Sequence, residues 1–151
     1  MKSLSNKTTL LLHDFLPYRL AVLAKTVGIC LSKAYEEKFG ITNQQWRTMF
    51  SIARKANCSA SYVVKHAALD KVQVSRALAG LIEMGLVKRK SSNSDRRNSV
   101  LKLTKKGWQI YEQIVPKALE FEAALIGSLD DKEANYLHTI LSKLADKTNE
   151  L

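Results

Sequence analysis

The chain has 151 residues, 46% hydrophobic and 25% charged, enough to bury a core without disulfide or metal staples and too apolar to stay disordered. Its 24 Lys plus Arg against 14 Asp plus Glu give +10 at neutral pH, which favours a polyanionic partner over an acidic or apolar one. Cys30 and Cys58 are too few for a secreted disulfide scaffold, no signal peptide fits residues 1–4, and no run of about 18 apolar residues occurs; a single cytoplasmic domain that does not enter a membrane is expected.

Pro17 suits the first turn of a helix. After it, Leu20, Leu23, Val27, Cys30, Leu31 and Ala34 recur at spacings of three and four, predicting a helix that ends near Gly40. Val22 and Ile29 lie on another side, as expected of a helix that contacts two bodies. Thr42-Asn43-Gln44-Gln45 is a capping box, opening a helix with Trp46, Met49, Phe50, Ile52 and Ala53. Ser59 opens a short helix to about His66, and residues 67–69 are the turn. Asp70-Lys71-Val72-Gln73 is a second capping box, opening a helix to Met84 with Val74, Leu78, Leu81 and Ile82 inward and Gly85 as its stop.

Residues 86–90 and 98–103 read as strands around a polar turn at 91–97. Thr104 starts a long helix with Ile110, Ile114, Ala118, Phe121 and Leu125, interrupted or bent at Pro116. Asp130 to Glu133 cap a final helix bearing Leu137, Ile140, Leu141 and Leu144. The expected fold class is mainly α with a small β-hairpin.

Positive charge concentrates on that hairpin. Lys88, Arg89, Lys90, Arg96, Arg97, Lys102, Lys105 and Lys106 face one acid, Asp95, giving +7 over 19 residues. Residues 117–151 carry four lysines against seven acids. A short helix, a tight turn and a capped helix form a helix-turn-helix, whose second helix can lie in a DNA major groove. Its outward face offers Lys71, Val72, Gln73, Ser75, Arg76 and Ala79: an amide and a guanidinium for base edges or phosphate, and a methyl surface for thymine. A basic hairpin directly after such a helix is a wing that can reach the minor groove.

Here the sequence resembles the MarR family of winged helix-turn-helix regulators. The run Asp95-Arg96-Arg97, then Leu103-Thr104 and Gly107, fits the family's wing pattern without a gap. Residues 69–76 resemble its recognition-helix start, residues 81–87 its exit into the wing, and residues 41–47 the start of its second helix. The resemblance implies one MarR-like domain over 1–151, with residues 41–107 as the winged-helix lobe and 1–40 and 108–151 as a helical dimerisation region. It further implies a homodimer on pseudo-palindromic double-stranded DNA, with Arg97 in the minor groove and Asp95 orienting the wing arginine by ion pairing. Lys88, Arg89, Lys90 and Arg96 complete the expected DNA-contacting set. Ser92 and Ser94 stand where many members carry an additional Asp and Arg, so fewer minor-groove charges are expected at the tip.

Family members bind small aromatic acids, phenols or thioesters between the dimer helices and the DNA-binding lobe. Tyr18, Arg19, Trp46 and Arg47 are the effector candidates, able to hold an anionic aromatic ligand by stacking and charge-assisted hydrogen bonds; the plainer reading makes Tyr18 and Trp46 core or interface residues and Arg19 a surface ion-pair member. Cys30, on the apolar stripe, reads as a buried structural thiol. A redox-responsive regulator acting through Cys30 or Cys58 is the alternative, and a nonspecific architectural DNA binder or a module for acidic surfaces are others. His13, His66 and His138 lack metal-ligand spacing, and no phosphate loop or nucleophile motif is present; no metal, cofactor or enzymatic activity is expected. The reading is a ligand-responsive repressor.

Overall fold

Short polar residues ahead of apolar runs set most of the helix starts, and Pro17 opens the first long helix. The computed structural model describes residues 10–92 and 95–151, with the side chains of 92–98 outside the description. In chain order the elements are a short 3-10 turn (Leu12–Asp14), α1 (Leu16–Phe39), α2 (Asn43–Arg54), α3 (Ala60–Ala67), α4 (Lys71–Glu83), β1 (Val87–Ser92), β2 (Asp95–Leu103), α5 (Lys105–Ile126) and α6 (Asp131–Glu150). The chain falls into two units, one ending at Trp108 and one spanning Gln109–Leu151.

Thr42, Asp70 and Asp130 each close a capping box, accepting a backbone N–H while the side chain three residues on accepts theirs. Ser59 caps α3 through the Tyr62 amide at 3.1 Å. Such a cap stabilises a helix by about 1 kcal/mol. α4 stops at Gly85, whose φ of 72° favours a residue without Cβ.

The core of the first unit is built by α2, α3, α4 and the hairpin. Met49 and Ile52 from α2, Val63 from α3, Val74, Leu78 and Leu81 from α4, and Leu101 from β2 are all at most 2% exposed. Each contributes about 1.5–3 kcal/mol by leaving water. Ile82, expected inward, is 39% exposed; the buried positions of α4 are Val74, Ala77, Leu78 and Leu81, so its inward stripe passes beside Ile82.

α1 departs further from its apolar stripe. Its buried residues are Ser32 and Tyr35, whereas Leu20 and Leu23 are exposed. Cys30, expected buried, is exposed in the single chain, and Cys58 is buried. α5 runs continuously through Pro116 rather than being interrupted there; the ring forfeits the bond to the Glu112 carbonyl, and the turns on either side carry the helix through. α6 has no buried residue, and its Tyr136, Ile140 and Leu141 are exposed.

The hairpin strands are longer than the sequence predicts. They pair from Val87↔Leu103 out to Ser92↔Asp95, with an irregularity between Lys90 and Ser92. The expected turn at 91–97 therefore yields most of its residues to strand. Ladder bonds join backbone groups and tolerate polar side chains on a two-stranded ribbon, so polarity misplaced the boundary.

Candidate nucleic-acid interface

The helix-turn-helix is α3, the turn at Ala68–Leu69 and α4. Ala68 takes the left-handed conformation (φ 50°, ψ 47°) that ends α3. Arg47, on α2, donates from Nη2 to the Ala68 carbonyl at 2.9 Å, tying α2 to the turn. Two residues later, the Asp70 carboxylate accepts the Gln73 amide at 2.7 Å and starts α4. The inward positions Val74, Ala77, Leu78 and Leu81 fix the rotation of α4 about its axis. That rotation leaves Lys71, Val72, Gln73, Ser75, Arg76 and Ala79 exposed on one face.

Gln73 has a second occupation. Its Oε1 accepts the Asp70 N–H at 3.1 Å, so bidentate contact with an adenine would require it to leave the capping box, whereas Nε2 alone can donate to a base without doing so. Arg76, Ser75 and Lys71 make no such local bond among the described residues. Arg89 of β1 closes a groove of ≈ 480 Å³ between α3 and α4, with Lys65, Lys71 and Ser75 on its rim.

The register sorts the wing's charges by face. Val87 and Arg89 pair with Leu103 and Leu101, which are buried, so this face looks onto the helices. Lys88 and Lys90 alternate to the other face, with Lys88 directly opposite Lys102. Like charges placed opposite each other cost stability unless an anion intervenes. The backbone of β2 passes through Asp95, Arg96 and Arg97; their side chains, and those of Ser92 and Ser94, lie outside the described residues.

The base of the wing is locked to the exit of α4. The Leu101 N–H donates to the Cys58 carbonyl at 2.8 Å, adding a bridge from β2 to the start of α3. Thr104 donates from Oγ1 to the Gly85 carbonyl at 2.6 Å and accepts the Gly107 amide at 3.0 Å, capping α5. Its own N–H donates to the Leu86 carbonyl at 3.0 Å. A Cβ on Gly107 would overlap that carbonyl oxygen. The Leu-Thr-x-x-Gly part of the wing pattern is thus a structural clamp: Leu103 fills the core, Thr104 caps and ties, and Gly107 permits the close approach. Lys106 adds a bond from Nζ to the Met84 carbonyl at 3.0 Å.

The effector candidates do not share one cavity in the single chain. Tyr18 and Arg19 are exposed on the first turns of α1. Trp46 is 6% exposed, packed between Tyr35 (ring centroids 5.8 Å) and Phe50 (5.9 Å). Arg47 lines a groove of ≈ 490 Å³ between α1 and α2, with Lys25, Gly28, Ser32, Glu36 and Asn43. Sequence reasoning missed Asn43 and Tyr35. The Asn43 amide donates to the Gly28 carbonyl at 3.4 Å and the Tyr35 hydroxyl at 3.3 Å, joining α2 to α1. Burial pushes the Tyr35 hydroxyl pKa up, and the Asn43 bond offsets part of this. A polar residue just after a cap, eight residues beyond a tyrosine, was the available signal.

Burial likewise raises the Cys58 thiol above its ordinary value, the opposite of what a thiolate sensor needs. Among the described residues no group of His, Cys, Asp and Glu could hold a metal, and no helix is long and apolar enough to cross a membrane.

Four likenesses bear on this geometry. A family model described as MarR family matches residues 39–98, the helix-turn-helix and most of the wing. FarR of Neisseria gonorrhoeae, an HTH-type transcriptional regulator, is 30% identical over 105 residues, which are 70% of this chain and 72% of FarR. The structure of a MarR/EmrR family transcriptional regulator from Acinetobacter sp. ADP1 matches with a TM-score of 0.84 at 27% identity, covering 94% of this chain and 100% of that one. The structure of Bordetella bronchiseptica BpsR, whose DNA binding is regulated by 6-hydroxynicotinic acid, shares the fold with a TM-score of 0.80 at 21% identity, covering 91% of this chain and 98% of that one. With the exposed α4 face, the clamped basic wing and these relatives in agreement, the chain belongs to the MarR family of DNA-binding transcriptional regulators.

Proposed function

We propose that the protein is a homodimeric, ligand-responsive repressor that reads a pseudo-palindromic operator with two copies of α4. The observation that carries this is the solvent-facing row Lys71, Val72, Gln73, Ser75, Arg76 and Ala79 on a helix whose rotation is fixed by four inward residues. Arg76 and Gln73 read base edges, Val72 meets a thymine methyl, and Lys71 and Ser75 hold phosphate. Lys88, Arg89, Lys90, Arg96 and Arg97 supply the backbone and minor-groove contacts of the wing, with Asp95 orienting an arginine there.

The rest of the chain supports pairing. Leu23 is 58% exposed on α1, and Ile140 is 51% and Leu141 46% exposed on α6. Apolar surface on this scale is a cost that a second copy removes. In this reading residues 1–151 work as one MarR-like domain in the cytoplasm, with 41–107 gripping DNA and 1–40 and 108–151 joining the partner. A small anionic aromatic effector enters the groove beside Lys25 and Arg47; BpsR's regulation by 6-hydroxynicotinic acid is a precedent for that class of ligand, and Tyr18 and Arg19 would join it only if a second copy brought them there. The ligand releases DNA by favouring a dimer whose two helices no longer match one helical turn.

Selection of bound fragments from the host genome, followed by affinity measurement on selected and random duplexes, tests this. A regulator binds its selected site about 10³-fold or more tighter than random DNA. Equal affinity for both makes the protein an architectural binder instead.

A further inference from the structure

Arg47 serves two places at once. Its guanidinium donates to the Ala68 carbonyl at 2.9 Å, and its side chain lines the α1–α2 groove. Ala68 stands in a left-handed conformation, which a residue with a Cβ keeps only under constraint. It lies two residues ahead of Asp70, the cap of α4. The direction in which α4 leaves the turn therefore depends on a carbonyl held by a groove side chain.

We propose that Arg47 is a positioning residue that couples the groove to the helix-turn-helix: an anion in the groove and the Ala68 carbonyl compete for one guanidinium. The inference rests on the effector reading above for the charge of the ligand. A carboxylate makes stronger, bidentate bonds to a guanidinium than a neutral carbonyl does, so an anion seated there draws Arg47 off the turn. Lys25 adds a second positive charge to the groove, and Glu36 on the same wall opposes part of it. One turn earlier on α2, Asn43 bonds to both the Gly28 carbonyl and the Tyr35 hydroxyl and braces that end of the helix against α1. Displacement is thus taken up at Arg47. The anion shifts the turn only as far as its affinities for the two turn states differ, and DNA bound to the held state weakens the anion equally.

The test uses the full chain with benzoate as probe, ionic strength being held constant with chloride. Amide hydrogen exchange at residues 69–74 reports the turn, and fluorescence anisotropy reports affinity for duplex DNA. Benzoate is expected to speed exchange at 69–74 in the wild type by about tenfold and to weaken duplex binding. Arg47→Ala exchanges fast without benzoate and does not respond to it. Arg47→Lys keeps the charge and loses the planar fork, so it lies between the two; it also serves if the alanine variant fails to fold. Unchanged exchange in the wild type up to the solubility limit of benzoate, or a full benzoate response in either variant, overturns the coupling. A wild type that binds no duplex while its exchange still responds sinks the regulator reading and leaves the coupling standing.

Discussion

Replacing Gly107 by alanine sets two effects of opposite sign against each other. Alanine is favoured over glycine inside a helix by about 0.8–1 kcal/mol, so α5 on its own would gain. The added Cβ, however, overlaps the Leu86 carbonyl oxygen and sits 3.1 Å from the Leu86 carbonyl carbon and 3.4 Å from the Leu103 Cβ. Backbone has to move, unlike the end of a flexible side chain. Overpacking of this kind costs about 1–3 kcal/mol, and shifting Leu86 strains the Thr104 N–H bond it accepts, worth about 0.5–1.5 kcal/mol. The clash wins, with a net loss of about 2 kcal/mol and, at this chain length, a Tm lowered by about 4–8 °C. Gly28→Ala is the control: its Cβ meets the Asn43 amide at 3.6 Å, an ordinary contact, so it should raise Tm by a few degrees. Calorimetry on both variants at equal protein concentration decides. A Tm for Gly107→Ala at or above wild type refutes the clamp.

Asp70→Ala removes the acceptor of the Gln73 amide and should cost about 1 kcal/mol, with Asp70→Asn restoring most of it; urea unfolding checks this. Alkaline pH provides another test. Burial raises both the Cys58 thiol and the Tyr35 hydroxyl above their ordinary values of 9.0 and 10.0, so above pH 9 the unfolded chain loses these protons before the folded one does. Stability is then full below pH 9 and falls above it, and a denaturation midpoint that rises across that range would contradict the burial argument. Leu23→Asp and Ile140→Asp should each leave a folded chain by circular dichroism, monomeric by analytical ultracentrifugation and much weaker on DNA; a dimer retained by both would remove the pairing reading.

Local chemistry was legible wherever the partners lie close in sequence. The boxes at Thr42, Asp70 and Asp130 each bind within three residues, and the outward row of α4 follows from its apolar spacing. The wing pattern was recognisable too, although only the structure shows that Thr104 and Gly107 act on Gly85 and Leu86. α1 misled because its buried positions are a serine and a tyrosine, which no hydrophobic stripe selects; its apolar residues are left for another surface. The proposed effector set does not form one cluster within a single chain, for geometric reasons. Tyr18 and Gly28 are ten residues apart on one helix, about 15 Å at 1.5 Å per residue, while Arg47 and Trp46 point to different surroundings, groove and core. Arg47 reaches Ala68 across 21 residues, a distance at which no local pattern is written.

Hydroxyl-radical footprinting on a duplex selected from the host genome tests most directly whether paired α4 helices read DNA. The account predicts two protected patches about 10–10.5 base pairs apart, related by two-fold symmetry. Arg76→Ala should change base preference within a patch, and Arg97→Ala should weaken binding across all sequences. Featureless protection that is equally strong on random DNA, and unchanged in both variants, would contradict it.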